Sequence, residues 1–172
     1  SKDYLIGFEG LLILDADALN RIAKSKLGTK FFLERQFKTW ITPHNKEFLR
    51  LFPNIKYETN VELALKAANE YNISVLLKGA NSVIADKKKA WQLFGTDSQT
   101  ARAGLGDLLS GFVAGSSAID MTFCRNITTD FFAKYVLLHS FAASKCKTGS
   151  NAFAIGDELS KLIRDRKTRQ IS

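Results

Sequence analysis

The feature that most constrains the fold of this chain is an alternation: short apolar runs that read as strands are separated by stretches of helical period. Leu11 to Leu14 is apolar throughout and ends at Asp15, the pattern of a parallel strand buried on both faces. Ala16 to Leu27 follows with helical spacing, with Asp15 or Asp17 as candidate N-cap and Gly28 as stop. Lys38 to Thr42 reads as a short strand running into Pro43, which suits the first position of a helix continuing through Glu47, Leu49 and Leu51. Val61 to Tyr71 has the period of a second helix. Three strand candidates come next, Ser74 to Lys78, Ser82 to Ala85 and Ala90 to Phe94, with a charged turn over Asp86 to Lys89. A polar loop from Gly95 to Gly104 precedes helical segments at Asp107 to Ile119, Thr128 to Lys145 and Ile155 to Arg166. Strands alternating with helices predict an α/β protein with a mainly parallel sheet flanked by helices. No repeat or Pro-rich linker divides the chain, so residues 1–172 read as one domain, with a basic tail at 161–172.

Composition narrows the class of function. Thirteen Phe against one Met predict a core of aromatic rings and branched aliphatics. No apolar run approaches the roughly 20 residues that span a bilayer, and the opening segment lacks the pattern of a secretory signal. The expectation is a cytoplasmic protein with no membrane partner. Cys124 and Cys146 lie 22 residues apart with no CxxC and no His at ligand spacing, which argues against zinc and leaves both as thiols. The net charge of +8 is uneven: Lys161 to Ser172 holds five basic residues and one acidic one. Without aromatic-basic interleaving this tail reads as the solvated end of the last helix, complementing its dipole, and no nucleic-acid partner is expected.

In open α/β sheets ligands collect outside the carboxyl ends of the strands. Several polar clusters fall at such ends: Asp15-Ala16-Asp17 with Asn20, Thr42-Pro43-His44 with Glu47, Lys78-Gly79-Ala80-Asn81-Ser82, and the loop leading to Gly104-Leu105-Gly106-Asp107. The last is the most informative. Glycines before a helix let the backbone approach a ligand, and unpaired N–H groups there point at an anion. An acid at the helix start that also faces a substrate hydroxyl can accept its proton during phosphoryl transfer. Taken alone, Gly-x-Gly-Asp is equally a tight turn capped by Asp.

The segments LDADALN, TPHNKEF, LLKGANSVIAD and GLGDLLSGFVAG resemble, in order and spacing, those of the NAD(P)H-hydrate dehydratases, members of the ribokinase-like superfamily. The resemblance runs from about Leu11 to the helix after Thr128. It implies a ribokinase-like fold and the repair of damaged cofactor: dehydration of NADHX or NADPHX to NADH or NADPH with ATP or ADP as co-substrate and Mg2+. It further implies Asp107 as general base and substrate contact, and His44 as a second contact to the hydrated dinucleotide. Lys78, Gly79, Ala80, Asn81, Ser82, Gly104 and Gly106 would bind the nucleotide. No residue is implied as a metal ligand, and a homo-oligomer is expected. Local alternatives stay open: an imidazole bonded to backbone at a helix start for His44, a first-turn acid for Glu47, a hairpin with a solvated Lys for Lys78, and a cap for Asp17.

The chain also departs from the family's pattern. Asn45-Lys46 stands where a Pro-Gly pair is usual, and Arg102-Ala103-Gly104-Leu105-Gly106 where Thr-Gly-Gly-Ser-Gly is usual. Family members carry strands before the LDADALN strand, whereas here residue 1 is Ser and that strand comes first, so the domain is expected to lack its N-terminal strands. Two further functions share the same residues. A small-molecule kinase of the superfamily would use Asp107 but yield a stable phosphoester, and a non-catalytic nucleotide-binding or assembly module would keep the anion site without turnover.

Overall fold

A computed structural model of the chain describes residues 2–94, 104–124, 126–147 and 150–169, with side chains for 4–94, 104–124, 126–147 and 150–164. The chain divides into two units, residues 1–95 and 96–172.

The first unit holds the sheet. Strands β1 (Leu12–Leu14), β2 (Thr39–Ile41), β3 (Ser74–Leu77), β4 (Ser82–Ala85) and β5 (Ala90–Leu93) pair in sequence order. β1, β2 and β3 run parallel, with Ile13 beside Trp40 and Ile41 beside Val75. β3, β4 and β5 form an antiparallel meander, with Leu76 opposite Ile84 and Ile84 opposite Trp91. The sheet is therefore mixed: its first three strands are parallel, as the crossover helices demand, and the short connections after β3 permit only antiparallel pairing.

Helices α1 (Lys2–Gly7), α2 (Ala16–Ala23), α3 (Lys30–Glu34), α4 (Asn45–Leu51) and α5 (Asn60–Tyr71) belong to this unit. The helix expected over Ala16 to Leu27 ends earlier, because Ser25 interrupts it. The Ser25 hydroxyl donates to Ile22 O at 2.9 Å and accepts from Gly28 N at 3.1 Å, and Gly28 takes a left-handed φ of +55° in that turn. α1 and α3 had no clear signal in the sequence. Nor does Pro43 open α4: its carbonyl accepts from Lys78 N at 2.8 Å, which keeps it on the sheet, and His44 becomes the N-cap. The core joins β-branched and Leu side chains to a ring cluster in which Phe52 lies 5.0 Å from Phe48, 6.2 Å from Phe32 and 4.9 Å from Tyr71. The aromatic core expected from composition is this cluster.

The second unit contains α6 (Leu105–Phe123), α7 (Thr129–Lys145) and α8 (Ala152–Arg169). Leu105, Ala142, Ile155 and Leu159 form one buried cluster of this unit, and Phe112 meets Tyr135 edge-on at 6.2 Å between α6 and α7.

Candidate functional site

Because β1, β2 and β3 are parallel neighbours, their carboxyl ends share one edge of the sheet. Asp15, Thr42-Pro43-His44 and Lys78 follow those strands directly. Thr42 N and Thr42 Oγ1 both donate to Leu14 O, at 3.1 and 3.4 Å, which ties the end of β2 to that of β1. His44 and Lys78 form an isolated parallel bridge, which ties the end of β2 to that of β3. Three of the polar clusters expected at strand ends are thus neighbours.

Lys78 opens the hairpin loop between β3 and β4, yet its ammonium is not free in solvent. Nζ lies 2.8 Å from Asp15 Oδ1, with the two side chains 25% and 12% exposed. The stem of Lys78 therefore reaches over the end of β2 to the end of β1. In the rest of the loop Ser82 Oγ donates to Gly79 O at 3.1 Å, and Gly79 N donates to Ser82 Oγ at 3.3 Å. Ala80 and Asn81 are exposed at its tip.

His44 and Glu47 form a capping box at the start of α4. Nδ1 of His44 accepts from Lys46 N at 3.1 Å and from Glu47 N at 3.3 Å. Glu47 Oε2 accepts from His44 N at 2.8 Å, and Glu47 Oε1 lies 3.4 Å from His44 Nε2. With Nδ1 accepting, the donor nitrogen of the half-exposed ring is Nε2, which faces Glu47 Oε1. The side chain is bonded to backbone, and Glu47 is the buried partner in that arrangement.

In the second unit Gly104 is the N-cap of α6, with φ +84° and ψ −10°. That left-handed conformation is open to Gly at no steric cost and is strained for other residues. Leu105, Gly106 and Asp107 form the first turn, where backbone N–H groups have no intrahelical acceptor. Asp107 is exposed in this turn. Arg102 and Ala103, two departures from the family's pattern, lie outside the described residues.

Among the described residues, no group of three or more His, Cys, Asp or Glu is placed to hold a metal ion, and no helix is long and apolar enough to cross a membrane. Cys124 and Cys146 are free thiols. Sequence reasoning did not foresee the Asp15–Lys78 pair, whose partners are 63 positions apart, nor the role of Arg35. The latter is 3% exposed and its guanidinium donates to Leu5 O, Phe8 O and Gly10 O at 2.5–2.6 Å and to Thr39 Oγ1 at 2.9 Å. Burial pushes its pKa down, and it ties the segment before β1 to the turn before β2.

A parallel α/β edge bearing Asp15, His44 and Lys78, with a glycine-started helix bearing Asp107, defines a ribokinase-like α/β protein. Solved structures bear out that fold. A ribokinase-like superfamily protein from Enterococcus faecalis aligns with a TM-score of 0.73 at 20% identity, over 90% of this chain and 52% of that one. The ADP/ATP-dependent NAD(P)H-hydrate dehydratase from Bacillus subtilis, co-crystallised with ATP/Mg2+, aligns with a TM-score of 0.71 at 24% identity, over 95% of this chain and 57% of that one. The sequence profile described as NAD(P)H-hydrate dehydratase matches residues 4–164, and the chain belongs to that family. A bifunctional NAD(P)H-hydrate repair enzyme of Synechocystis is 40% identical over 105 residues, 60% of this chain and 20% of the relative. An ADP-dependent (S)-NAD(P)H-hydrate dehydratase of Nitrosopumilus maritimus is 36% identical over 78 residues, 44% of this chain and 27% of the relative. The chain spans about a fifth of the length of the first of these curated relatives.

Proposed function

We propose that this chain carries residues for the nucleotide-dependent dehydration of hydrated NAD(P)H. The observation that carries the reading is Asp107 in the first turn of α6 behind a left-handed Gly104, within a chain of the dehydratase family. Asp107 is the general base. As the ring hydroxyl of NADHX or NADPHX attacks the terminal phosphorus of ATP or ADP, the Asp107 carboxylate accepts its proton. Phosphate then leaves with the C–O electron pair, a proton departs from the adjacent ring carbon, and the double bond forms. The amides of the Gly104–Gly106 turn offer donors to charge developing on phosphate oxygens.

His44 contacts the hydrated dinucleotide through Nε2–H, because Nδ1 is held by the Lys46 and Glu47 amides. It can therefore recognise only an acceptor. Lys78 and the loop through Gly79, Ala80, Asn81 and Ser82 bind nucleotide phosphate. Magnesium bound with the nucleotide would neutralise part of its phosphate charge, and no residue of the chain is proposed as its ligand. The two units form one ribokinase-like domain, cytoplasmic and homo-oligomeric, as alignments over 90–95% of the chain to single folds support for the domain.

The test is recovery of reduced-nicotinamide absorbance when the chain meets NADHX, magnesium and either ATP or ADP. Recovery with one nucleotide establishes the reaction and names the donor. A stable phosphoester in place of NADH, or nucleotide binding without turnover even in the whole protein, overturns it.

A further inference from the structure

At the edge of the first unit, Lys78 is paired with an acid, Asp15, to which the proposed reaction gives no role. Asp15 follows β1 and Lys78 follows β3, with the end of β2 between them. A lysine in a hairpin loop ordinarily samples many rotamers, its ammonium hydrated and mobile. Here Lys78 Nζ is drawn back across the strand ends to Asp15 Oδ1 at 2.8 Å, and both side chains are mostly buried. Asp15 is itself fixed: the same Oδ1 accepts from Ala16 N at 2.9 Å, across a residue whose φ of +44° is left-handed.

We infer that Asp15 is a positioning residue for Lys78, holding its ammonium over the strand ends so that its remaining N–H donors meet a nucleotide phosphate without further ordering. The inference rests on the reading of Lys78 as a phosphate ligand. An ammonium carries three donors and no acceptor. One bond to Asp15 fixes where the nitrogen sits and leaves donors for an anion. Pre-organisation of this kind strengthens binding by removing the ordering cost that a free lysine would meet on complex formation. Removing the Asp15 charge makes the edge more positive, so pure charge attraction predicts tighter nucleotide binding. Positioning predicts weaker binding. The two effects have opposite signs, which makes the question decidable.

Calorimetric titration of the full chain with magnesium ATP and magnesium ADP would compare wild type, Asp15→Asn, Lys78→Met and the double variant. Asn keeps the shape of Asp and remains a good N-cap, so its melting temperature is expected to match wild type. The expected result is about tenfold weaker binding for Asp15→Asn, the scale of one charge-assisted hydrogen bond. Lys78→Met is weaker still, and Asp15→Asn adds nothing once Lys78 is gone. A purely structural Asp15 would weaken binding equally in both backgrounds. Should Asp15→Asn fail to fold, Asp15→Ser, also a capping residue, takes its place in the cycle. Wild-type or tighter binding by the Asp15 variant, alongside a loss for Lys78→Met, overturns the positioning role alone. Wild-type binding by Lys78→Met, or no nucleotide binding by the wild-type chain, overturns the phosphate assignment and this inference together.

Discussion

At the scale of single residues, chemistry at His44 is limited by what its ring already does. With Nδ1 accepting from two backbone amides, the imidazole is a helix cap. His44→Ala is therefore expected to cost about 1 kcal/mol in denaturant unfolding, and His44→Asn, a better cap, only a few tenths. If His44 also meets substrate, the Asn variant shows a raised KM for the hydrated dinucleotide despite its intact stability; equal loss of stability in both variants would count against the cap. Asp107 is the opposite case: it is exposed in the first turn of α6. Asp107→Asn should abolish absorbance recovery while leaving calorimetric nucleotide binding within a factor of a few, and turnover at the wild-type rate would remove it as base. Arg35 is a residue of stability. Arg35→Met strands the carbonyls of Leu5, Phe8 and Gly10, and a loss of about 3 kcal/mol is expected in urea titrations.

At the scale of elements, the sequence located helices and strands well where period and caps agreed. α7 starts within a residue of the expected Thr128, and the strand bounds moved by a residue or so at their ends, where pairing fades. The misses have local causes. α6 begins at Leu105, ahead of Asp107, because Gly104 supplies the left-handed cap and Gly106 sits inside the first turn in spite of its low propensity. Gly104→Ala is expected to cost about 1–2 kcal/mol through backbone strain, since among the described residues an added Cβ would meet Ala152 Cβ at an ordinary 3.7 Å. Thermal unfolding at the wild-type midpoint would mean that α6 can start without that conformation. α3, only five residues long and without a side-chain cap, is held by burying Phe31 and Phe32, which no periodicity over so short a run reveals. Pro43 was expected to open a helix, but its carbonyl accepts from Lys78 N just after β3, and the helix starts at Asn45.

At the scale of the whole molecule, acid stability depends on a histidine outside the candidate site. Burial lowers His139 to a pKa of about 4, and its Nε2 has no hydrogen-bond partner in the described structure. The folded chain thus favours the neutral ring, while the unfolded chain takes up a proton near the ordinary value of about 6.5. Stability is full above that value and falls as pH drops towards 4, by an amount on the order of 3 kcal/mol, then levels off for this group. His139→Leu should flatten that part of the stability–pH curve, and an unchanged slope would assign the acid sensitivity to other groups. The sequence by itself determined the α/β class, the aromatic core and the residues at the strand ends. Those follow from local period, caps and connection length, which are written along the chain. Only the tertiary structure decided that Lys78 turns back to Asp15 and that Arg35 gathers the carbonyls before β1. Pairings of residues tens of positions apart depend on which strands become neighbours, and that is settled by burial and backbone hydrogen bonding across the whole sheet.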